Sequence, residues 1–360
     1  MNWLNKCHFG DCLETLRMMP DGMVQTCVTS PPYFGLRDYG HDGQIGLEAT
    51  PDQFIAKLVE VFREVRRVLK DDGTLWLNIG DSYVGSANNG GKDSKTMAGT
   101  QAATGSNLPS KRGVGLKQKD LIGIPWLLAF ALRADGWYLR QEVIWAKPNP
   151  MPESVTDRCT KSHESIFLLA KSEKYYFDQA AIAEPCSAST HARLSQDVQN
   201  QIGSERANGG AKTNGNMKAV GRASWNGSEF NKGTTAEHQL GRSQKDRKFD
   251  TGAGNKNNAS FDAAMAIMPE NRNKRSVWTV ATTPYKGAHF ATFPPALIEP
   301  CILAGAPAGG VVIDPFFGSG TTGQVAQALG RNFIGCELNP AYKPLQDERT
   351  AQPSLLLEAA

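Results

Sequence analysis

The 360 residues carry 39 basic and 36 acidic side chains, a net charge of +3, and they suffice for one large α/β domain or two smaller ones without disulfide or metal support. Hydrophobic residues make up 40% of the chain, no apolar run approaches the ~18 residues of a transmembrane helix, and no signal pattern opens the sequence. The seven cysteines are scattered without a C-x-x-C pair, a pattern that suggests neither a disulfide scaffold nor a Cys-ligated zinc site. We therefore expect a cytoplasmic protein with no membrane segment and no metal.

Apolar runs and helical spacing alternate along the chain. A strand at Met23–Thr29, a helix at Pro51–Leu69 and a strand at Gly73–Ile79 form a β–α–β unit. The later elements are a helix at Asp120–Ala134, strands at Trp137–Ala146 and Glu164–Ala170, a helix at Pro294–Ala304, a strand at Gly310–Ile313, a helix at Thr321–Leu329, a strand at Asn332–Glu337 and a helix from Pro340. This alternation predicts an α/β fold with a doubly wound, mostly parallel sheet.

Two segments hold the excess positive charge. Residues 86–119 carry a net +5 and residues 186–275 a net +6, so the rest of the chain sums to −8. Both segments are rich in Gly, Asn and Ser, a composition typical of solvated surface insertions. Clustered Lys and Arg also favour nucleic-acid phosphates, where counterion release supplies affinity. Composition alone does not choose between these interpretations.

The C-terminal part of the chain contains a glycine-rich turn between a strand and a helix. Gly318, Gly320 and Gly323 satisfy G-x-G-x-x-G, in which glycines permit a tight turn and close approach to a ligand at a helix N-terminus. Glu337 ends the next strand, where a carboxylate can accept hydrogen bonds from ribose hydroxyls. The pattern predicts a nucleoside cofactor and leaves open whether it is a nicotinamide dinucleotide or S-adenosylmethionine (AdoMet).

The first predicted strand ends in Thr-Ser-Pro-Pro-Tyr at residues 29–33. The prolines hold the chain extended and donate no hydrogen bond, so the carbonyl oxygen of Pro31 and the hydroxyl of Ser30 form a rigid pair of acceptors. Tyr33, or less favourably Phe34, offers a ring on which a base that has left the double helix can stack. Such a site suits the exocyclic amino group of a base, because two acceptors free its lone pair for attack on a methyl group.

Together, TSPPY and DPFFGSG resemble the two signature motifs of the DNA amino-methyltransferases, which methylate N4 of cytosine or N6 of adenine. Their order, with the catalytic motif first, is similar to the β class, and the resemblance covers roughly residues 5–84, 120–178 and 277–345. It implies a Rossmann-like AdoMet-dependent methyltransferase sheet in circularly permuted motif order. It also implies that Ser30, Pro31, Pro32 and Tyr33 are catalytic.

The same resemblance implies a set of AdoMet-binding residues and a domain organisation. The cofactor residues are Asp11, His289, Phe290, Thr292, Asp314, Phe316, Gly318, Gly320, Thr321 and Glu337. Residues 1–184 would form the catalytic half with the basic loop 86–119, residues 185–276 the target-recognition region, and residues 277–360 the AdoMet-binding half. Double-stranded DNA is the expected partner, and a homodimer and a cognate restriction endonuclease are left open.

Three questions stay open at this point. Adenine-specific members of the class usually carry Asp where this chain has Ser30, which favours cytosine N4 slightly over adenine N6. Asp81 and the Lys147–Pro150 segment lie either beside the base pocket or in purely structural positions. The alternatives to the methyltransferase are an NAD-dependent oxidoreductase that uses the same glycines and a catalytically silent DNA-binding relative.

Overall fold

The computed structural model describes residues 2–36, 38, 40–41, 43–84, 115–186, 270–282 and 293–351. Three of the predicted cofactor residues, His289, Phe290 and Thr292, lie outside these ranges, as do residues 85–114 and 187–269, which contain most of both basic segments.

The described residues form an alternating series of strands and helices. The strands are β1 Lys6–Phe9, β2 Val24–Thr29, β3 Leu69–Ile79, β4 Tyr138–Ala146, β5 His163–Ala170, β6 Glu184–Pro185, β7 Asn271–Arg272, β8 Val277–Thr279, β9 Val311–Asp314 and β10 Asn332–Glu337. The α-helices are α1 Cys12–Met18, α2 Pro51–Val68, α3 Ile124–Ala134, α4 Pro295–Gly305, α5 Thr321–Ala328 and α6 Lys343–Thr350.

Eight of these strands form one sheet in the order β1-β10-β9-β2-β3-β5-β4-β8. The five strands from β1 to β3 run parallel, β5 runs antiparallel to both β3 and β4, and β8 is parallel to β4. The predicted α/β class with a mostly parallel sheet is therefore confirmed. Since β9 lies between β2 and β10, the C-terminal part of the chain supplies strands to the middle of the sheet, beside the strand that carries the TSPPY segment.

The helices follow from local sequence signals. The Thr50 hydroxyl accepts a hydrogen bond from the Gln53 N–H, and Pro51 fills the first helical position of α2, where its missing N–H costs nothing. Apolar residues at helical spacing then bury one face of α2 against the sheet, including Phe54, Leu58 and Phe62, each 0% exposed. The predicted helix at Asp120–Ala134 begins only at Ile124, because the preceding Gly123 has φ +83°.

Strand β1 and helix α1 precede every element that the sequence pattern predicted. Strand β1 has four residues, Lys-Cys-His-Phe, and none of them is fully buried, so it shows neither an apolar run nor clear alternation. It pairs in parallel with β10 at the edge of the sheet. This pairing, rather than local propensity, makes the segment a strand.

The chain divides into two compact units. One comprises Met1–Ile182 and Arg275–Ala360 and contains the large sheet, and the other comprises Ala183–Lys274. In the second unit the structure describes only the antiparallel pair β6 and β7 with its neighbouring residues. In the described ranges, no helix combines the length and apolarity that a membrane crossing requires.

Candidate active site

Loops that follow four parallel strands line one pocket at the carboxyl edge of the sheet. Strand β9 pairs with both β2 and β10, and β10 also pairs with β1, so the four loops leave the sheet side by side. The pocket is lined by ten of the residues predicted for catalysis or cofactor binding: Asp11, Ser30, Pro31, Pro32, Tyr33, Asp314, Phe316, Gly318, Thr321 and Glu337. Gly320 lies at the N-terminus of α5, between two of them.

Asp314 joins the two predicted motifs directly. Its side chain is 1% exposed, the Thr29 hydroxyl donates to Oδ1 over 2.6 Å, and the Thr322 hydroxyl donates to Oδ2 over 2.7 Å. The Phe316 N–H also donates to Oδ1, over 3.0 Å. Burial raises the pKa of Asp314 to about 6, although these hydrogen bonds oppose the shift. The carboxyl group therefore ties the start of TSPPY to the glycine turn across 285 residues of sequence.

The glycine turn needs its glycines for two different reasons. Gly318 and Gly320 have φ +55° and +88°, a left-handed backbone that other residues adopt only with strain. Gly323 lies inside α5, where a Cβ would be 2.7 Å from Cζ of Phe317. The absence of a side chain there lets Phe317 pack between α5 and β10, stacked on Phe333 at 5.4 Å between ring centroids. The third glycine thus sets the close packing of helix and strand.

Glu337 stands at the end of β10 with its carboxylate turned to the glycine turn. Its Oε2 accepts the Gly318 N–H over 2.7 Å and its Oε1 accepts the Asn339 N–H over 2.8 Å. Burial raises the pKa of Glu337, and these two backbone hydrogen bonds act against that rise. A carboxylate has about four lone-pair positions, so each oxygen can still accept a hydrogen bond from a ligand hydroxyl in the pocket.

Asp11 follows β1 and borders the same pocket. The Gly10 N–H donates to the backbone oxygen of Glu337 over 2.9 Å, which places Asp11 beside the end of β10. Its Oδ1 accepts the Glu14 N–H over 3.0 Å and so caps α1. The residue therefore combines a helix-capping contact with a position in the pocket wall.

Three further polar residues, one in the glycine turn and two in α6, contact or line the turn but were not singled out in the sequence. Ser319 is 1% exposed and lines the pocket, and its hydroxyl has no protein partner. Gln346 of α6 donates to the Gly318 carbonyl oxygen over 2.7 Å, and Arg349 donates to the Thr321 hydroxyl. Helix α6 thereby fixes the turn from outside the pocket. No local sequence pattern predicted these contacts.

The TSPPY segment is anchored by the residue that follows it. Phe34 is 1% exposed and packs against Phe54 of α2, with 5.5 Å between ring centroids. The expectation that Phe34 could serve as an alternative stacking ring is therefore wrong, because its side chain belongs to the core. Tyr33 is half-buried and lines the pocket, and it is the aromatic ring of this segment that a ligand can reach.

Asp81 is a structural residue. Its Oδ1 accepts the Gly123 N–H over 3.0 Å and the Ile124 N–H over 3.1 Å, so the carboxylate caps α3.

The Lys147–Pro150 segment contributes a charged group behind the pocket, since Lys147 pairs with Glu164. The Glu164 carboxylate in turn accepts a hydrogen bond from Tyr33. Sequence reasoning missed Glu164, because this carboxylate opens an ordinary strand and lies 131 residues from its partner.

Comparison with known proteins agrees with this arrangement. A family model described as DNA methylase, covering the enzymes that methylate N6 or N4 amino groups, matches residues 24–348. The chain belongs to this DNA methylase family. It is 44% identical over 335 residues to the Type II methyltransferase M.Cfr9I of Citrobacter freundii, covering 92% of this chain and 83% of that protein. This membership overturns the oxidoreductase alternative.

Solved structures show the same fold at low sequence identity. The PvuII DNA methyltransferase, which is cytosine-N4-specific, superposes with a TM-score of 0.55 at 15% identity, covering 96% of this chain and 85% of that one. The protein TTHA0409 from Thermus thermophilus, solved in complex with S-adenosyl-L-methionine, gives a TM-score of 0.51 at 20% identity, covering 97% of this chain and 94% of that one. The fold is thus that of an AdoMet-dependent DNA methyltransferase.

The family uses AdoMet, and the pocket residues fit this cofactor. The left-handed glycines let a ligand approach the backbone at the start of α5. Glu337 supplies acceptors for ribose hydroxyls, and the buried Ser319 hydroxyl lacks a protein partner at the same turn. Phe293, which adjoins the predicted but undescribed residues 289–292, lines the pocket as well.

Proposed function

We propose that this enzyme transfers a methyl group from AdoMet to the exocyclic amino group of a base that is flipped out of duplex DNA, with cytosine N4 favoured over adenine N6. One observation carries the proposal. The TSPPY segment and the glycine turn line a single pocket and are tied together by the hydrogen bond from Thr29 to Asp314. A methyl donor bound at the glycine turn and an amino group held by TSPPY would then lie in one pocket, as methyl transfer requires.

In this proposal, the residues of the chain divide into two groups by task. The glycine turn, Glu337 and Asp11 bind the cofactor, which supplies an electrophilic methyl group when bound. Ser30 and the carbonyl oxygen of Pro31 accept hydrogen bonds from the target amino group and hold its lone pair toward the methyl group. Tyr33 stacks on the extruded base, an interaction worth ~1–3 kcal/mol per base, which offsets much of the cost of extrusion.

The preference for cytosine rests on the identity of Ser30. A serine hydroxyl is a short, neutral acceptor, whereas adenine-specific members of the class usually present a carboxylate at this position. A neutral acceptor can hold the amino group of either base, so the preference is slight. The base is therefore part of what the experiment must determine.

DNA binding is assigned to the two basic segments. Residues 86–119 and 186–275 carry net charges of +5 and +6, as phosphate contacts require. Residues 185–276 would read the target sequence and residues 86–119 would close on the duplex, with residues 1–184 and 277–360 forming the catalytic domain. The similar protein from Citrobacter freundii is a Type II methyltransferase. We therefore expect this protein to be paired with a restriction endonuclease that recognises the same DNA sequence.

The proposal is tested by incubating the purified protein with duplex genomic DNA and AdoMet labelled in the methyl group. We expect label in the DNA, and nucleoside mass spectrometry should find N4-methylcytosine. Detection of N6-methyladenine instead would show that adenine is the target base, and the enzyme would still be a DNA amino-methyltransferase. A protein that binds AdoMet and labels no DNA, even in a single turnover, is the catalytically silent relative and not the enzyme proposed here.

A further inference from the structure

A polar cluster lies behind Tyr33 and holds the ring by its hydroxyl group. The Tyr33 hydroxyl donates to Oε2 of Glu164 over 2.7 Å. Asn78 donates to the same oxygen over 3.3 Å and to the Ser165 carbonyl oxygen over 3.3 Å. The Glu164 carboxylate thus receives two donors on one oxygen, one from Tyr33 in the loop after β2 and one from Asn78 of β3.

The charge of Glu164 is balanced within the cluster. Lys147 forms an ion pair with the other carboxylate oxygen, and the two side chains are only 18% and 16% exposed. The Lys147 ammonium also lies 4.2 Å from the ring centroid of Trp145, which is 4% exposed. An unpaired carboxylate at such a depth would be strongly unfavourable. Lys147 therefore pairs the charge of the same carboxylate that accepts the hydrogen bond from the tyrosine.

The edge of the Tyr33 ring is fixed by a second contact. A Cβ on Gly80 would lie 2.9 Å from Cδ2 of Tyr33 and still closer to Cε2. Position 80 therefore accommodates only glycine without a shift, because the Tyr33 ring occupies the space that a Cβ atom of residue 80 would take. The ring is held at its tip by a hydrogen bond and at its edge by the backbone after β3.

We propose that Glu164 is a positioning residue that fixes the plane of the Tyr33 ring for stacking on the target base. The inference rests on the proposed function, in which that ring receives the extruded base. A tyrosine free to turn about χ1 and χ2 would have to be ordered each time a base enters. Because the hydrogen bond and the contact with Gly80 order it beforehand, the cost of positioning is removed from the catalytic cycle.

The test is a double-mutant cycle on the full-length protein. Tyr33→Phe keeps the ring and removes its hydroxyl, and Glu164→Gln keeps the shape of the acceptor and removes its charge. We expect each to lower the single-turnover rate of DNA methylation about tenfold, with AdoMet affinity unchanged. In the Tyr33→Phe background, Glu164→Gln should cause no further loss, since the ring no longer has a hydroxyl to hold.

A matched control lies on the neighbouring strand. Glu142 accepts a hydrogen bond from the Ser165 hydroxyl over 2.7 Å, so Glu142→Gln alters a similar carboxylate and should leave the methylation rate unchanged. Gly80→Ala tests the second contact, and it should slow methylation while Glu164 is intact. Rates are compared at a temperature at which every variant keeps its native circular dichroism spectrum.

The outcomes separate this inference from the proposed function. Absence of DNA methylation by the unsubstituted protein would overturn the proposed function, and the inference with it. If the unsubstituted protein methylates DNA, an unchanged rate in Glu164→Gln would overturn the inference alone. Independent losses that multiply in the double variant would do the same, because they would mean that Glu164 does not act through the tyrosine hydroxyl.

Discussion

Replacing Asp314 with asparagine should remove a specific dependence of stability on pH. Burial raises the pKa of this carboxyl group in the folded protein from 3.8 to about 6. The difference corresponds to about 3 kcal/mol. A carboxyl group with a raised folded-state pKa favours folding fully below its unfolded-state pKa, and this contribution is lost as the pH rises through the folded-state value. Asp314 should therefore lower the free energy of unfolding by about 2.4 kcal/mol between pH 4 and pH 7, because the remainder is lost below pH 4.

Asparagine has the shape of the protonated acid and does not titrate in this range. Urea unfolding of the unsubstituted protein and of Asp314→Asn, measured from pH 4 to pH 7, isolates this residue because all other carboxylates titrate in both proteins. We expect the asparagine variant to gain stability relative to the unsubstituted protein as the pH rises, by about 2.4 kcal/mol over this range. A difference that stays constant with pH, or that changes in the opposite direction, would refute the argument that Asp314 is ionised at an energetic cost in the core.

Three further substitutions probe the pocket. Glu337→Gln weakens acceptance of ribose hydroxyls, so calorimetry should show AdoMet binding reduced by roughly 10- to 100-fold, and unchanged affinity would remove Glu337 from the cofactor site. Gly323→Ala brings a Cβ within 2.7 Å of Phe317 and should cost about 1–3 kcal/mol of stability, visible as a lower melting temperature; an unaffected melting temperature would contradict the packing argument. Tyr33→Ala should slow DNA methylation by roughly 5- to 150-fold while AdoMet still binds, and full activity would show that no base stacks there.

The sequence predicted those parts of the fold that local patterns encode. The apolar runs of β2, β3 and β5 and the helical spacing in α2 have one interpretation each. The TSPPY segment and the glycine turn supplied eight of the ten predicted residues that line the pocket. Carboxyl ends of parallel strands meet at one edge of a sheet, which is why two motifs far apart in the chain could be expected to share a site.

Contacts between distant residues were beyond local patterns. Strand β1 depends on pairing with β10, and the burial of Phe34 depends on where α2 packs. The bond from Thr29 to Asp314 and the bond from Tyr33 to Glu164 connect residues 285 and 131 positions apart. No residue type or spacing at either end specifies such a partner, so the linking contacts of Asp314 and the contact of Glu164 with Tyr33 emerge only from the fold.

The central claim is that both motifs act on one amino group in DNA. Mapping of modified bases in genomic DNA from cells that express the protein tests it most directly, with cells expressing Tyr33→Ala as the control. The account predicts a methylated exocyclic amino group at one recurring sequence, depleted in the control. DNA without such a base, or with the methyl group on a ring carbon, would contradict it.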